Sequence, residues 1–590
     1  MHVASSEASL RRLRLWYVKQ AFTVALLILC LLHECATDDP DPVTSITSGR
    51  VAGIRIEVGG KKVDAFLGIP YAEPPLGELR FQKPQPIQPW KGTYQATRKP
   101  TPCRQLLLPV FAGVRLNYSS ASEDCLYLNV WKPSSACQTP ESCEDNLPVV
   151  VFIDGNVFQW SDSALFANDP ANFVALTGVV FVTFNYRVSI FGFLSLEESK
   201  LVGNMGLWDQ NLVLRWVQEN IKNFGGDPKQ VTLSGQSAGA ASVGLHAISP
   251  HSKGLFKRIV MQSGSPLSLV IGLFFRGAGK FTAITGALGC YNLDKTLDEQ
   301  KVEIIKCLQK EKASDIIDTV QIVDFIKQMF SPIDGDEFLP RRVLSVDAFK
   351  DLGATEVLLG TVKNEGTVFL SQLKLAFPRF KELLDSEYRL VAILVMVQML
   401  DIPVWQSRRI ATAYFGGPED KRKTPEEVER IFGEMFGDVT FYCPTQLVAD
   451  ILAREKGVSI YRYVFVHRPS YSLWPESFGI AHSDDLPFTL GSLVFVNDTS
   501  RYTEPLGSRG KKMLAAARYT ADEKSFMEEI STAWGTFYRD GKPKVPLTGG
   551  KWPKYTLDES WVIYLEPNNY TTIVEPKRKI CEVWKPVLLR

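Results

Sequence analysis

The chain has 590 residues, 45% apolar and 22% charged, and its 66 Lys and Arg balance 65 Asp and Glu to a formal charge of +1. Such a balance leaves no electrostatic footprint for nucleic acid or an anionic membrane surface, so neither is expected as a partner. The composition is that of a globular protein with a large core, and long α/β enzymes carry this length in one domain.

At the N-terminus, Arg11, Arg12, Arg14 and Lys19 precede the apolar run AFTVALLILCLL, residues 21–32. The run is shorter than the roughly 20 residues a membrane span needs and suits the hydrophobic region of a secretory signal. Residues 1–36 are therefore expected to be a signal peptide, with an uncleaved signal anchor as the competing expectation. The closing KICEVWKPVLLR carries neither a retention signal nor a hydrophobic tail for a lipid anchor. A secreted, extracellular protein without a stable membrane anchor follows.

Export makes the cysteines informative. Without Cys30 and Cys35, the ten cysteines of the chain reduce to Cys103, Cys125, Cys137, Cys143, Cys290, Cys307, Cys443 and Cys581. An even set without a C-x-x-C pair favours disulfides over metal ligation, and neither metal nor cofactor is expected. Export also makes glycosylation candidates of the sequons at Asn117, Asn497 and Asn569.

Beyond the signal, short β-branched runs recur: 148–154, 178–187, 230–235, 258–264, 356–362 and 459–468. Between two of them GLWDQNLVLRWVQENIKNF has helical spacing and stops at Gly225-Gly226. This alternation predicts a mostly parallel sheet covered by helices. No repeat or linker divides residues 37–590, which are expected to form one domain. The charged stretch 416–430 is expected to be a solvated surface segment.

The run VTLSGQSAGAA, residues 231–241, orders strand, sharp turn and helix around Gly235-Gln236-Ser237-Ala238-Gly239. Glycines on both sides of Ser237 permit the bend that lifts a serine hydroxyl above a strand. The pentapeptide alone is weak, since about 0.2 matches are expected by chance. A serine nucleophile needs a base, and in this arrangement an acid and then a histidine follow it along the chain. Of six histidines, His2 and His33 fall in the signal, while His246 and His251 come too soon after Ser237. His467 ends a strand and is expected to be structural. His482, in the loop FGIAHSDDLPFTLG, is the candidate base, and Glu365, just after the run 356–362, is the candidate acid.

These residues sit in segments that resemble the type-B carboxylesterase and cholinesterase family of α/β-hydrolases. The resemblance runs from about Gly49 to the C-terminus and includes FLGIPYAEPPLGELRF (66–81), EDCLYLNVW (123–131), NYRVSIFGFLS (185–195), NMGLWDQNL (204–212), FGGDPKQVTLSGQSAG (224–239) and MQSGSP (261–266). It implies an α/β-hydrolase fold, a small-molecule ester substrate, Ser237 as nucleophile, His482 as general acid and base, and Glu365 as the carboxylate that holds the imidazole. It also implies the disulfides Cys103–Cys125, Cys290–Cys307 and, as in cholinesterases, Cys443–Cys581, which leaves Cys137 with Cys143. Arg80 with Glu123, and Arg187 with Asp209, resemble buried family ion pairs.

The chain departs from the family at the oxyanion loop. Backbone N–H donors there accelerate acyl transfer about 10²- to 10³-fold each. One is expected from Ala238; the others come from a loop that usually reads His-Gly-Gly-Gly-Phe and here reads Asp154-Gly155-Asn156-Val157-Phe158. Val157 resists the left-handed backbone that glycine adopts, while Asn156 tolerates it and carries an amide donor of its own. A reshaped oxyanion hole is expected. Choline binding is also expected to be poor, because Tyr94 is read in place of a tryptophan, Gln236 in place of an acid and Val368 in place of an aromatic residue. The leading expectation is a secreted serine carboxylesterase. The alternatives are a catalytically weak binding protein, similar to neuroligin-type adhesion members, and a cholinesterase.

Overall fold

The valine-rich runs become the centre of a twisted sheet. In the computed structural model, which describes residues 41–590 except 107–117, 119, 136–145, 196–202, 270–277, 325–329, 378, 418, 499–506, 547–548 and 590, fourteen strands are formed. They are β1 (Val43–Ile46), β2 (Gly49–Ala52), β3 (Ile54–Val58), β4 (Lys61–Pro70), β5 (Thr93–Gln95), β6 (Tyr127–Pro133), β7 (Leu147–Ile153), β8 (Val180–Phe184), β9 (Gly226–Gln236), β10 (Arg258–Gln262), β11 (Glu356–Val362), β12 (Ser459–Phe465), β13 (Trp561–Glu566) and β14 (Asn569–Val574). Eleven pair in the order β14-β13-β12-β11-β10-β9-β7-β8-β6-β4-β3, and β1, β2 and β5 make a separate small sheet.

From β13 to β8 the neighbours run parallel, as the alternation of strands and helices predicts. Both ends of the sheet are antiparallel: β8-β6-β4-β3 on one side and the β13-β14 hairpin on the other. The chain is an α/β-hydrolase fold with a mixed rather than purely parallel sheet.

The central strands are buried on both faces, which is why they read as unbroken apolar runs. In β7, Val149, Val151 and Ile153 enter one core, with Ala240, Val243 and Leu245 of helix α2 (Ala238–Ile248) and Val213 and Val217 of helix α1 (Met205–Asn220). Val150 and Phe152 enter a second core with Trp534, Phe537 and Tyr538 of the helix Ala521–Asp540. From Val43 onward the chain forms one compact unit.

Charged and covalent ties fasten the segments outside the sheet. Arg80 forms a bidentate pair with Glu123 at 2.6 and 2.7 Å, and Arg187 one with Asp209 at 2.8 and 2.7 Å. Disulfides join Cys103 to Cys125, Cys290 to Cys307 and Cys443 to Cys581. Cys137, Cys143 and Asn117 lie outside the described residues, whereas Asn497 and Asn569 are exposed. The stretch 416–430 is largely exposed, as expected, and among its described residues only Val428 is buried. At Thr424 and Glu427 a reciprocal capping box starts the helix Pro425–Gly437, which buries Val428, Ile431 and Phe432.

Candidate active site

Ser237 joins β9 to α2 at φ 58° and ψ −123°, a conformation that L residues rarely adopt. The turn closes because its flanks are glycine: a Cβ on Gly235 would lie 2.6 Å from the Gly239 backbone, and one on Gly239 would lie 2.0 Å from the Ile153 carbonyl. The Ser237 N–H donates to the Gln262 carbonyl on β10 at 2.8 Å, which ties the turn to the sheet. Strand, strained turn and helix therefore follow the order read from the sequence.

Glu365 and His482 come together from loops after β11 and β12. Glu365 Oε2 lies 2.6 Å from His482 Nδ1, and its Oε1 accepts the Val362 N–H at 2.8 Å. With the carboxylate on Nδ1, the neutral imidazole carries its proton there and a lone pair on Nε2. The Phe441 ring stacks on His482 at 4.4 Å and Phe369 meets it edge-on at 5.8 Å. Among the described residues no hydrogen bond joins Ser237 Oγ to His482. The Nε2 atom instead faces the Gln236 amide at 3.2 Å.

The other histidines have partners of a different kind. His246, fully buried between Ser252 and Gln210, is pushed down to about 3 by desolvation, and His467 pairs with Glu523 at 2.9 Å. Both act in the scaffold.

The loop after β7 packs directly on the serine turn, since a Cβ on Gly155 would lie 2.7 Å from Ser237 Cβ. Asn156, Val157 and Phe158 are all left-handed, at φ 72°, 51° and 63°. Ser189 donates its N–H to the Phe158 carbonyl at 2.7 Å, and the Asn156 carbonyl accepts the Gln159 N–H at 3.0 Å. Among the described residues the Asn156 side-chain amide makes no hydrogen bond. Asp154 closes the loop from below by accepting from Ser161 Oγ at 2.8 Å and from the Asp162 N–H at 3.0 Å. Burial pushes its carboxyl up to about 7.

Acids also lie beside the histidine. Asp484 is pushed up to about 7 and Asp485 to about 6, chiefly by desolvation. Asp484 accepts the Ala481 N–H and Asp485 the Tyr463 hydroxyl, which shapes the loop around His482. Val368 is buried with Trp474 and Ala481 next to Phe369. Tyr94 is on β5 against Trp90, at 5.5 Å between rings, and has no described contact with Ser237, Glu365 or His482. Phe441 and Ser483 escaped the sequence reading; Phe441 sits on a single π turn, Asp438–Tyr442, that no apolar period marks.

Comparison with known proteins agrees with this architecture. The carboxylesterase family profile matches residues 40–584. An acetylcholinesterase-1 from Trittame loki is 32% identical over 588 residues, 96% of this chain and 99% of that protein. An acetylcholinesterase from Bungarus fasciatus is 33% identical over 92% of this chain and 86% of its own length. One from Electrophorus electricus is 32% identical over 96% of this chain and 92% of its own. The match over nearly the whole length, on an α/β-hydrolase sheet with a strained serine turn, shows that the chain belongs to the carboxylesterase family and is a carboxylic ester hydrolase.

Proposed function

We propose that the chain is a secreted serine carboxylesterase whose nucleophile is Ser237. The observation that carries this reading is the 2.6 Å contact from Glu365 to His482, formed beside the turn that bears Ser237. Ser237 Oγ attacks the ester carbonyl while His482 Nε2 takes its proton. The same proton passes to the departing alcohol oxygen, leaving an acyl-serine. Water then gives a proton to Nε2 and its oxygen to the acyl carbon; the acid departs and Ser237 recovers its proton. Glu365 holds the Nδ1 proton and offsets the charge of the imidazolium.

The oxyanion is assigned to the N–H of Ala238 and to the loop at Asn156 and Val157, where the uncommitted Asn156 amide adds a donor. Secretion rests on the residues 21–32 run, on the disulfides and on the exposed sequons at Asn497 and Asn569. Among the described residues no helix is long and apolar enough to cross a membrane.

Neutral esters are the proposed substrates, in preference to choline esters. A neutral amide stands before the serine, and Val368 offers an apolar wall without a cation-binding ring face. Comparing p-nitrophenyl acetate and butyrate with wild type and Ser237→Ala tests the nucleophile: turnover that persists in the variant overturns it. Acetylthiocholine hydrolysed far faster than a neutral thioester of equal size would establish a cholinesterase instead. A weakly active, binding form of the fold is the second reading, favoured by the three successive left-handed residues in the oxyanion loop.

A further inference from the structure

Gln236 is 3% exposed at the end of β9, and its side chain bridges the oxyanion loop and the imidazole. Its Oε1 lies close to Gly155, where a Cβ would approach it to 2.9 Å. Its Nε2 lies 3.2 Å from His482 Nε2 and 2.9 Å from Ser483 Oγ. Ser483 is itself held left-handed at φ 77°.

Glu365 decides which partner donates. Because Nδ1–H points to the carboxylate, Nε2 of the neutral ring is an acceptor, and the amide N–H is the donor. That lone pair is the one needed to receive the Ser237 proton. Once protonated, Nε2–H would meet the amide NH₂, donor against donor, so the contact exists only while the imidazole is neutral.

The geometry points to Gln236 as a positioning residue that latches His482 in a resting state, with its amide on Nε2 and Ser483 as the anchor. For its catalytic consequence this rests on the esterase reading. Releasing the latch frees the base and favours the imidazolium. The other groups facing the ring are Glu365 from the loop after β11, Asp485 from its own loop, and the apolar Phe369 and Phe441, while Asp484 turns to the Ala481 N–H. None of them donates to Nε2 among the described residues.

The test compares the full chain with Gln236→Met, which keeps the side-chain length without a donor, and with Ser483→Ala, which removes the anchor. Two quantities are read: kcat on p-nitrophenyl acetate, and the titration midpoint of the low-field Nδ1–H proton resonance, identified by its loss in His482→Ala. Gln236→Met is expected to raise kcat about 5-fold with KM little changed and to move the midpoint up about 0.7 unit. Ser483→Ala is expected to shift both in the same direction by less, and it carries the test if Gln236→Met does not fold. Midpoints that stay at the wild-type value, or a fall in kcat in both variants, overturn the latch. If wild type hydrolyses no ester and the midpoint still moves, the esterase reading falls and the latch stands. If Ser237-dependent turnover proceeds and the midpoint does not move, the reverse holds.

Discussion

One carboxylate serves two partners: Glu365 Oε2 sits 2.6 Å from His482 Nδ1 while Glu365 Oε1 accepts the Val362 N–H at 2.8 Å. The pairing makes Glu365→Gln a sharp test. The Val362 N–H requires an acceptor, so the glutamine oxygen stays there and its NH₂ turns to Nδ1. The imidazole must then place its proton on Nε2, the wrong tautomer for a base. We expect kcat/KM to fall about 10³- to 10⁴-fold with folding intact. A loss below about 10-fold in a steady-state assay would remove Glu365 from its assigned role.

The loop after β7, proposed to hold the oxyanion, carries strain at a place where the amino acids disagree with the backbone. Val157 is β-branched at φ 51°, for which a left-handed residue costs about 1–2 kcal/mol. Glycine relieves that and loses about 0.5–1 kcal/mol through its freer unfolded chain. Val157→Gly should therefore stabilise the protein by up to about 1 kcal/mol, whereas Asn156→Gly should be nearly neutral, since asparagine tolerates the region. Urea unfolding with a constant slope reads the difference. A marked loss of stability in Val157→Gly would show that its side-chain packing outweighs the strain.

Strain of this kind could be anticipated from the sequence because Val157 and Asn156 stand where the family places glycine. The central strands were legible for a related reason: buried on both faces, β7, β8, β10 and β11 are dominated by valine, isoleucine, leucine and phenylalanine. The antiparallel ends were not. β4 and β14 mix lysine, threonine and asparagine with apolar residues because much of β14 and the start of β4 face solvent. Ser237, Glu365 and His482 could be chosen by chain order and loop position. The meeting of Gln236 with His482 could not, since it depends on how a strand end and a loop 246 residues apart in sequence converge.

Stability should fall from mildly acidic to mildly alkaline pH. Desolvation raises the carboxyls of Asp154 and Asp484 to about 7 and those of Asp162 and Asp485 to about 6, against 3.8 for the free side chain. Between these values the folded chain binds more protons than the unfolded one, so each step up in pH favours unfolding. The stabilising contribution is complete below about pH 4 and is lost as pH rises through 6 to 7. Asp154→Asn, which cannot ionise, should gain on wild type by about 2–3 kcal/mol between pH 5 and pH 8. Chemical unfolding at both pH values checks this. An equal difference at both would mean that Asp154 stays ionised throughout.

The ion pair of Arg187 with Asp209 reaches the site through the backbone. Asp209 is fully buried and accepts from the Arg187 guanidinium at 2.8 and 2.7 Å and from the Arg187 N–H at 3.0 Å. Two residues on, the Ser189 N–H holds the Phe158 carbonyl of the loop after β7. Removing one charge leaves the other buried and unpaired, which costs about 3–5 kcal/mol, whereas replacing both with apolar residues often costs little. Asp209→Asn should therefore destabilise the chain by about 3 kcal/mol, and the double change Arg187→Met with Asp209→Leu by less. Comparing unfolding free energies of the two variants separates the cost of an orphaned charge from the worth of the pair. If the double variant were the less stable, the pair itself would be a net source of stability, and the segment from Arg187 to Ser189 would owe its position to that attraction.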